Sequence, residues 1–331
     1  MKGKLLLFCC FATLKVFAQN DSLPAKKDTA ITNVSNGVSS KKKWANNETA
    51  TVFNGQRLID AKTVEILHKG AMAFTVIHTF GDIGGSGGGA KNFFGIDGVS
   101  DAQIGFQFGL TKHLNLALQH TVGNAGLQHF YELGLKYQFM NQGTNGNPFS
   151  LTAYGNIVTS GQAVTTFKDS LGNIILKDSL ENSFETNADR MSELLQLMIA
   201  RKFGKVSLQL SGTFLYTNLV IPGDQNSLFS IGAALRIPLN QRFSIISDYF
   251  HSFRTQESID AWEALGKTPR DVFGIGVEIL TAGHVFHINF TNAREILENR
   301  FLPRTTGQWK DGEFRWGFTL TRNFMIFRPK N

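Results

Sequence analysis

Three groupings in this 331-residue chain could carry chemistry, and the spacing of each argues against it. The run Gly84-Gly85-Ser86-Gly87-Gly88-Gly89 offers backbone amides to a phosphate. A phosphate-cradling loop also needs a Lys-Ser/Thr pair at fixed spacing opening a helix, and neither follows, so the run reads as a flexible loop. Eight histidines (His68, His78, His113, His120, His129, His251, His284 and His287) invite a metal, yet none falls at a spacing typical of zinc. His284 and His287, three apart on a strand, face opposite sides, and no metal is expected. Ser247, Asp248 and His251 carry the groups of a hydrolase, but adjacent strand residues point to opposite faces and no Gly-x-Ser-x-Gly elbow is present. Cysteine chemistry is excluded differently. The only two cysteines, Cys9 and Cys10, lie in a leader that maturation would remove.

That leader reads as a secretory signal over residues 1–18. Lys2 and Lys4 form the basic start, Leu5 to Leu14 the apolar centre, and Val16-Phe17-Ala18 the small-residue cleavage site. Residues 19–48, rich in Asn, Ser, Thr, Lys and Asp, lack the apolar side chains needed to order a segment, and are expected to form a disordered tail. Residues 49–69 are mixed, with Asn54-Gly55 as a turn signal, and are expected to form a short hairpin or plug element. The net charge of +7 is spread along the chain, apart from Lys41-Lys42-Lys43 in the tail, and no recognition motif accompanies it. Nucleic acid is therefore not an expected partner.

From residue 70 to the end the hydrophobic period is two. Ile104, Phe106 and Phe108 alternate with Gln103, Gly105 and Gln107; Leu208 and Leu210 with Gln209 and Ser211; Trp316 and Phe318 with Arg315 and Gly317. A composition of 29 Phe and 33 Gly against 7 Pro suits pleated strands with tight turns. Alternation alone also fits a soluble β-sandwich. Segment lengths of about 9 to 13 residues match tilted membrane-crossing strands. Charge is low, at 18%, for a face meeting water. About twelve strands emerge, and their connections alternate short and long, as in outer-membrane barrels. The short ones are 111–112, 141–148, 204, 238–241 and 282–283; the long ones are 82–98, 161–188, 218–226, 255–270 and 293–312, with 123–126 as a short exception. That parity puts both termini on the periplasmic side. Tyr131, Tyr137, Phe139, Phe203, Tyr216, Phe243, Tyr249, Trp316 and Phe324 fall near strand ends on the lipid-facing parity, as an interfacial girdle requires.

Several of these residues resemble a known family, the uncharacterised membrane-bound β-barrel domains of exported proteins in Bacteroidetes-type bacteria. The likeness is clearest in Asn292-Ala293-Arg294, Glu298-Asn299-Arg300-Phe301-Leu302-Pro303, Thr305 to Gly312 and Gly317 to Phe324. It is also visible in Phe53 to Ile59, Thr63-Val64-Glu65 and Phe93 to Asp97, and covers roughly residues 50 to 327. Arg294 and Asn323 depart from the usual pattern. The resemblance implies a membrane barrel and brings no activity, cofactor or catalytic residue.

The fold expectation is thus an all-β, antiparallel transmembrane barrel over residues 70–331, in the outer membrane with lipid as its surroundings. Strand parity points Glu132, Lys136, Gln196, Gln209, Arg236, Asp248, Glu278, His287, Asn289 and Arg315 into the lumen. Of these, Lys136, Arg236, Glu278 and His287 are expected to form a charge network in the periplasmic half, which plugs the barrel or sets a filter. The leading functional expectation is a passive pore for small polar solutes, gated by the N-terminal segment. The competing one is a closed docking barrel whose long loops or tail bind a protein partner, and an outer-membrane hydrolase ranks third. No cofactor is expected.

Overall fold

The computed structural model describes residues 50–85, 87–123, 129–162, 167–168, 174–175 and 184–327. The segments read as signal and tail, residues 1–18 and 19–48, lie outside them. In chain order the strands are β1 (Ala71–Asp82), β2 (Val99–Gly109), β3 (Leu114–Gly123), β4 (His129–Met140), β5 (Ser150–Ser160), β6 (Phe167–Lys168), β7 (Ile174–Ile175), β8 (Met191–Phe203), β9 (Val206–Thr217), β10 (Ser227–Pro238), β11 (Phe243–Phe253), β12 (Val272–Leu280), β13 (His284–Thr291) and β14 (Arg315–Met325). β6 and β7 form a two-stranded ribbon of their own. The other twelve close into one antiparallel barrel, each paired with its neighbour in the chain and β1 with β14. Closure leaves no unpaired edge.

The period-two pattern fixes which way each strand faces. Leu195 is 62% exposed and its neighbour Gln196 is 1% exposed. The same contrast recurs at Leu133 beside Glu132 and at Leu210 beside Gln209. Large apolar side chains therefore cover the outside of the barrel, and the alternate set points to its interior. Tyr131, Tyr137, Phe139, Phe203, Tyr216, Phe243, Tyr249 and Phe324 are all exposed on that outer face.

The interior is not uniformly polar, which the alternation did not anticipate. Tyr154 on β5, Leu194 and Met198 on β8, Leu215 on β9, Ile246 and Phe250 on β11 and Val272 on β12 all point inward and are buried. The opposite wall, β14 and β1–β3, presents mainly Thr, Gln and Gly, among them Thr75, Gln103, Gly105, Gln107, Gln119 and Thr321. Two-sided apolar runs such as Leu194 to Ile199 are the sequence trace of the apolar wall.

The connections differ at the two ends. Short turns join β2–β3, β8–β9, β10–β11 and β12–β13, and the first and last barrel strands start and stop beside them, with Ala71 opposite Met325. The β8–β9 turn is only Gly204-Lys205. Its first position has φ +61°, a conformation that glycine supplies without strain. At the other end lie the long connections, two of which fold into helices where only loops were expected. These are α1 (Gln256–Ala264), capped by the Thr255 hydroxyl accepting from the Ser258 amide, and α2 (Glu298–Arg304). The buried Asp224 carboxylate fastens α1, accepting from the Ser258 hydroxyl (2.5 Å) and Trp262 Nε1 (2.9 Å) and pairing with Arg254 (3.3 Å).

Candidate functional site

Residues 50–69 fill the lumen. Nothing in their periodicity makes them a strand of the wall, but Val52, Phe53, Leu58, Ile59, Ala61 and Val64 supply an apolar face that packs on the apolar wall of β5 and β8–β12. The segment enters at the short-turn end, where the Ala50 amide donates to Gln142 O (2.9 Å). It turns back at residues 58–61, closed by Leu58 N to Ala61 O (2.9 Å) and an antiparallel bridge between Arg57 and Lys62. It leaves at the same end through Gly70, whose amide donates to Gly109 O (2.8 Å). The hairpin tip therefore lies at 58–61. Asn54-Gly55 forms a bend before it rather than the turn its composition suggests.

The tip sits where it does because Asp248 collects its amides. Ile59, Asp60 and Ala61 N–H donate to one carboxylate oxygen of Asp248, at 3.2, 2.7 and 2.8 Å. The returning stem is held in the same manner. Gln209 accepts from Val64 N (2.9 Å) and donates to Lys62 O (2.7 Å), while Thr152 and Gln138 both donate to Val64 O, at 2.9 and 3.1 Å. Backbone groups that a lumenal segment would otherwise leave unpaired thus find side-chain partners on the wall. Within the hairpin, Glu65 accepts from Val52 and Phe53 N–H. Burial raises its carboxyl above the usual range, against the pull of those two amides. Burial likewise raises that of Asp60, opposed by Arg57 and by the Thr291 hydroxyl.

All ten wall residues that strand parity points inward are buried. Arg236, Glu278 and His287 meet: Arg236 Nε lies 2.6 Å from Glu278 Oε1 and His287 Nε2 3.4 Å from Glu278 Oε2. Hairpin atoms complete that group, with Asn54 Nδ2 donating to Glu278 (2.7 Å) and His287 Nδ1 lying 2.9 Å from Leu58 O. Lys136 does not join it. β4 lies on the opposite side of the barrel from β12, and Lys136 Nζ instead donates to Glu65 O (2.7 Å). Glu132 accepts from the Tyr154 hydroxyl and Asn156. Arg315 pairs with Asp82 and donates to Asn292 O (2.9 Å). Ser247, Asp248 and His251 are not brought together: Ser247 Oγ donates to Gly274 O and His251 pairs with Asp271 on the outer face.

Residues 292–304 reach across the long-loop end. The Ile296 amide donates to Asp101 on β2 (3.0 Å), Asn299 to Ser192 on β8 (3.1 Å), and the Phe301 ring meets Phe250 on β11. This loop touches the hairpin tip. Arg57 donates to Ile296 O (2.8 Å), and Lys62 Nζ lies 2.9 Å from Glu298 and 3.4 Å from Glu132. Between the hairpin and the polar wall remains a small cavity of about 20 Å³, bordered by Arg57, Lys62, Gln103, Gln107 and Gln119. Arg57, Asp60, Lys62 and Glu298 carry much of this arrangement and escaped strand parity because none lies on a strand. Their one sequence signal is that all four belong to or adjoin stretches that carry the family resemblance.

A family model described as a membrane bound beta barrel domain (DUF5777) matches residues 53–324, beginning inside the hairpin rather than at β1. Solved structures similar to the chain include the NanC porin, with a TM-score of 0.46 at 5% identity, covering 77% of this chain and 100% of that one. The KdgM porin gives 0.44 at 6%, covering 77% and 99%, and an outer membrane channel from Pseudomonas putida F1 gives 0.44 at 15%, covering 81% and 100%. No curated protein matches the chain.

Proposed function

The chain belongs to the family of membrane bound beta barrel domains, and from that premise we propose a gated channel for small polar solutes, closed at rest by residues 50–69. One observation carries the reading: the lumen is occupied by a hairpin that enters and leaves at the same end. It leans on one wall and faces a Gln- and Thr-lined wall across a small cavity. An interior meant only to be solid would have no use for a polar wall opposite its filling. Withdrawal of the hairpin would expose a lumen edged by Gln103, Gln107, Gln119, Thr75 and Thr321, side chains that hydrogen-bond neutral polar solutes. Twelve strands enclose enough room for such a passage once the filling leaves.

In this reading the barrel sits in the outer membrane with its short turns and both termini in the periplasm. Residues 1–18 direct export and residues 19–48 form the tail leading to the hairpin. Planar-bilayer recording on the full chain and on a chain lacking residues 50–69 tests the gate. The full chain should be mostly silent, and the shortened one should hold a steady open current. A correctly folded shortened barrel that passes no current would overturn the channel and leave the docking barrel, with its long loops as the contact surface.

A further inference from the structure

The Lys62 ammonium sits in a cage whose walls come from elements outside the hairpin. Its Nζ lies 2.9 Å from Glu298 Oε2 and 3.4 Å from Glu132 Oε1, and 4.5 Å from the centre of the Tyr154 ring. Carboxylates and an aromatic face are the partners an ammonium group prefers away from water. Every wall of the cage is fixed: Glu132 on β4, Tyr154 and Asn156 on β5, Gln196 on β8 and Glu298 on α2, each 5% exposed or less. The cage also holds more acceptors than Lys62 fills. Asn156 donates its amide N–H to Glu132 and Gln196 donates to Glu298, yet Glu132 Oε2, Asn156 Oδ1 and Gln196 Oε1, all buried, accept nothing among the described residues.

From this geometry we infer that the cage is a recognition site for a small solute bearing a primary ammonium group, and that Lys62 is its tethered occupant at rest. The inference rests on the channel reading and adds a solute class to it. A hairpin that leaves takes its cation with it. Two buried carboxylates then stand without Lys62, a state that strongly favours a replacement cation. An arriving ammonium would take the place of Lys62 and hold the hairpin out.

Lys62→Ala separates the cage from its occupant. In the full chain, reconstituted in phosphatidylcholine vesicles, hydrogen exchange of the amides at 58–64 should quicken by about a hundredfold, the loss expected on breaking a buried ion pair. Ethylammonium, which supplies the missing group without the tether, should slow it again by about tenfold or more, while sodium at equal concentration should not. In the unaltered chain ethylammonium should act oppositely and quicken exchange by competing with Lys62. If Lys62→Ala abolishes heat-modifiable gel migration, Lys62→Met keeps the stem length and serves for the same titration. The inference is overturned if exchange is unchanged by the substitution, or if ethylammonium and sodium act alike on the variant. These readings need no current. Rescue by ethylammonium together with a silent shortened barrel would leave the cage standing and remove the channel.

Discussion

Asp248 holds the tip of the hairpin through one oxygen atom. Three amides converge on its Oδ2, and no other described side chain on the wall accepts from residues 59–61. Asp248→Ala would leave those donors buried without a partner, at about 1–3 kcal/mol for each that finds no substitute. The expected outcome is selective: amide exchange at 59–61 rises by more than about a hundredfold, while exchange in the β8–β9 ladder is unchanged. Asp248→Asn keeps an acceptor oxygen and should fall between the two. Equal protection of 59–61 in all three chains would show that the apolar packing of Leu58 and Ile59 alone seats the tip. Asp248 was legible as an inward-facing residue because strand parity is local. Its partners were not legible, since they lie 187 to 189 positions away along the chain.

At the scale of elements, the twelve barrel strands could be read from alternation because each repeats one physical rule, large apolar side chains outward at every second position, over 8 to 13 residues. The hairpin obeys no such rule. Its residues satisfy their backbone through Gln209, Thr152 and Gln138, side chains on three different strands, so no window of neighbouring sequence contains the reason for its shape. α2 was missed for a similar reason: its buried residues Phe301 and Leu302 bury against the inside of the barrel, which exists only after closure. The departing stem, by contrast, depends on a feature visible in β2. A Cβ on Gly109 would stand 2.0 Å from His68 O, a backbone atom that cannot swing aside. Gly109→Ala should therefore displace the stem at a cost of about 1–3 kcal/mol. Increased proteolytic cleavage between residues 50 and 69, with the barrel's gel migration kept, is the measurement that checks it. An uncleaved hairpin would mean that the stem has room to yield.

For the whole molecule, the decisive property is an outer surface of apolar side chains wrapped around an interior holding nearly all the buried polar groups. Leu197, midway along β8, is 52% exposed. Leu197→Arg should lower stability to urea in vesicles by about 2–4 kcal/mol, as a charge facing hydrocarbon requires. A change near zero would mean that this face meets water instead of lipid. Barrel and hairpin also differ in how they would yield to force. Because the hairpin enters beside Gln142 and leaves through Gly70 at the same end, it is looped through the barrel's mouth and never threaded along its bore. A pull applied at residue 50 loads its contacts one after another, from the mouth to the tip at Asp248 and then back along the returning stem, as a zipper opens tooth by tooth. The barrel's ladders, loaded across many bonds at once, would resist the same pull. In the gated-channel reading, traction from one side of the membrane would shed the filling with no strand of the wall required to part.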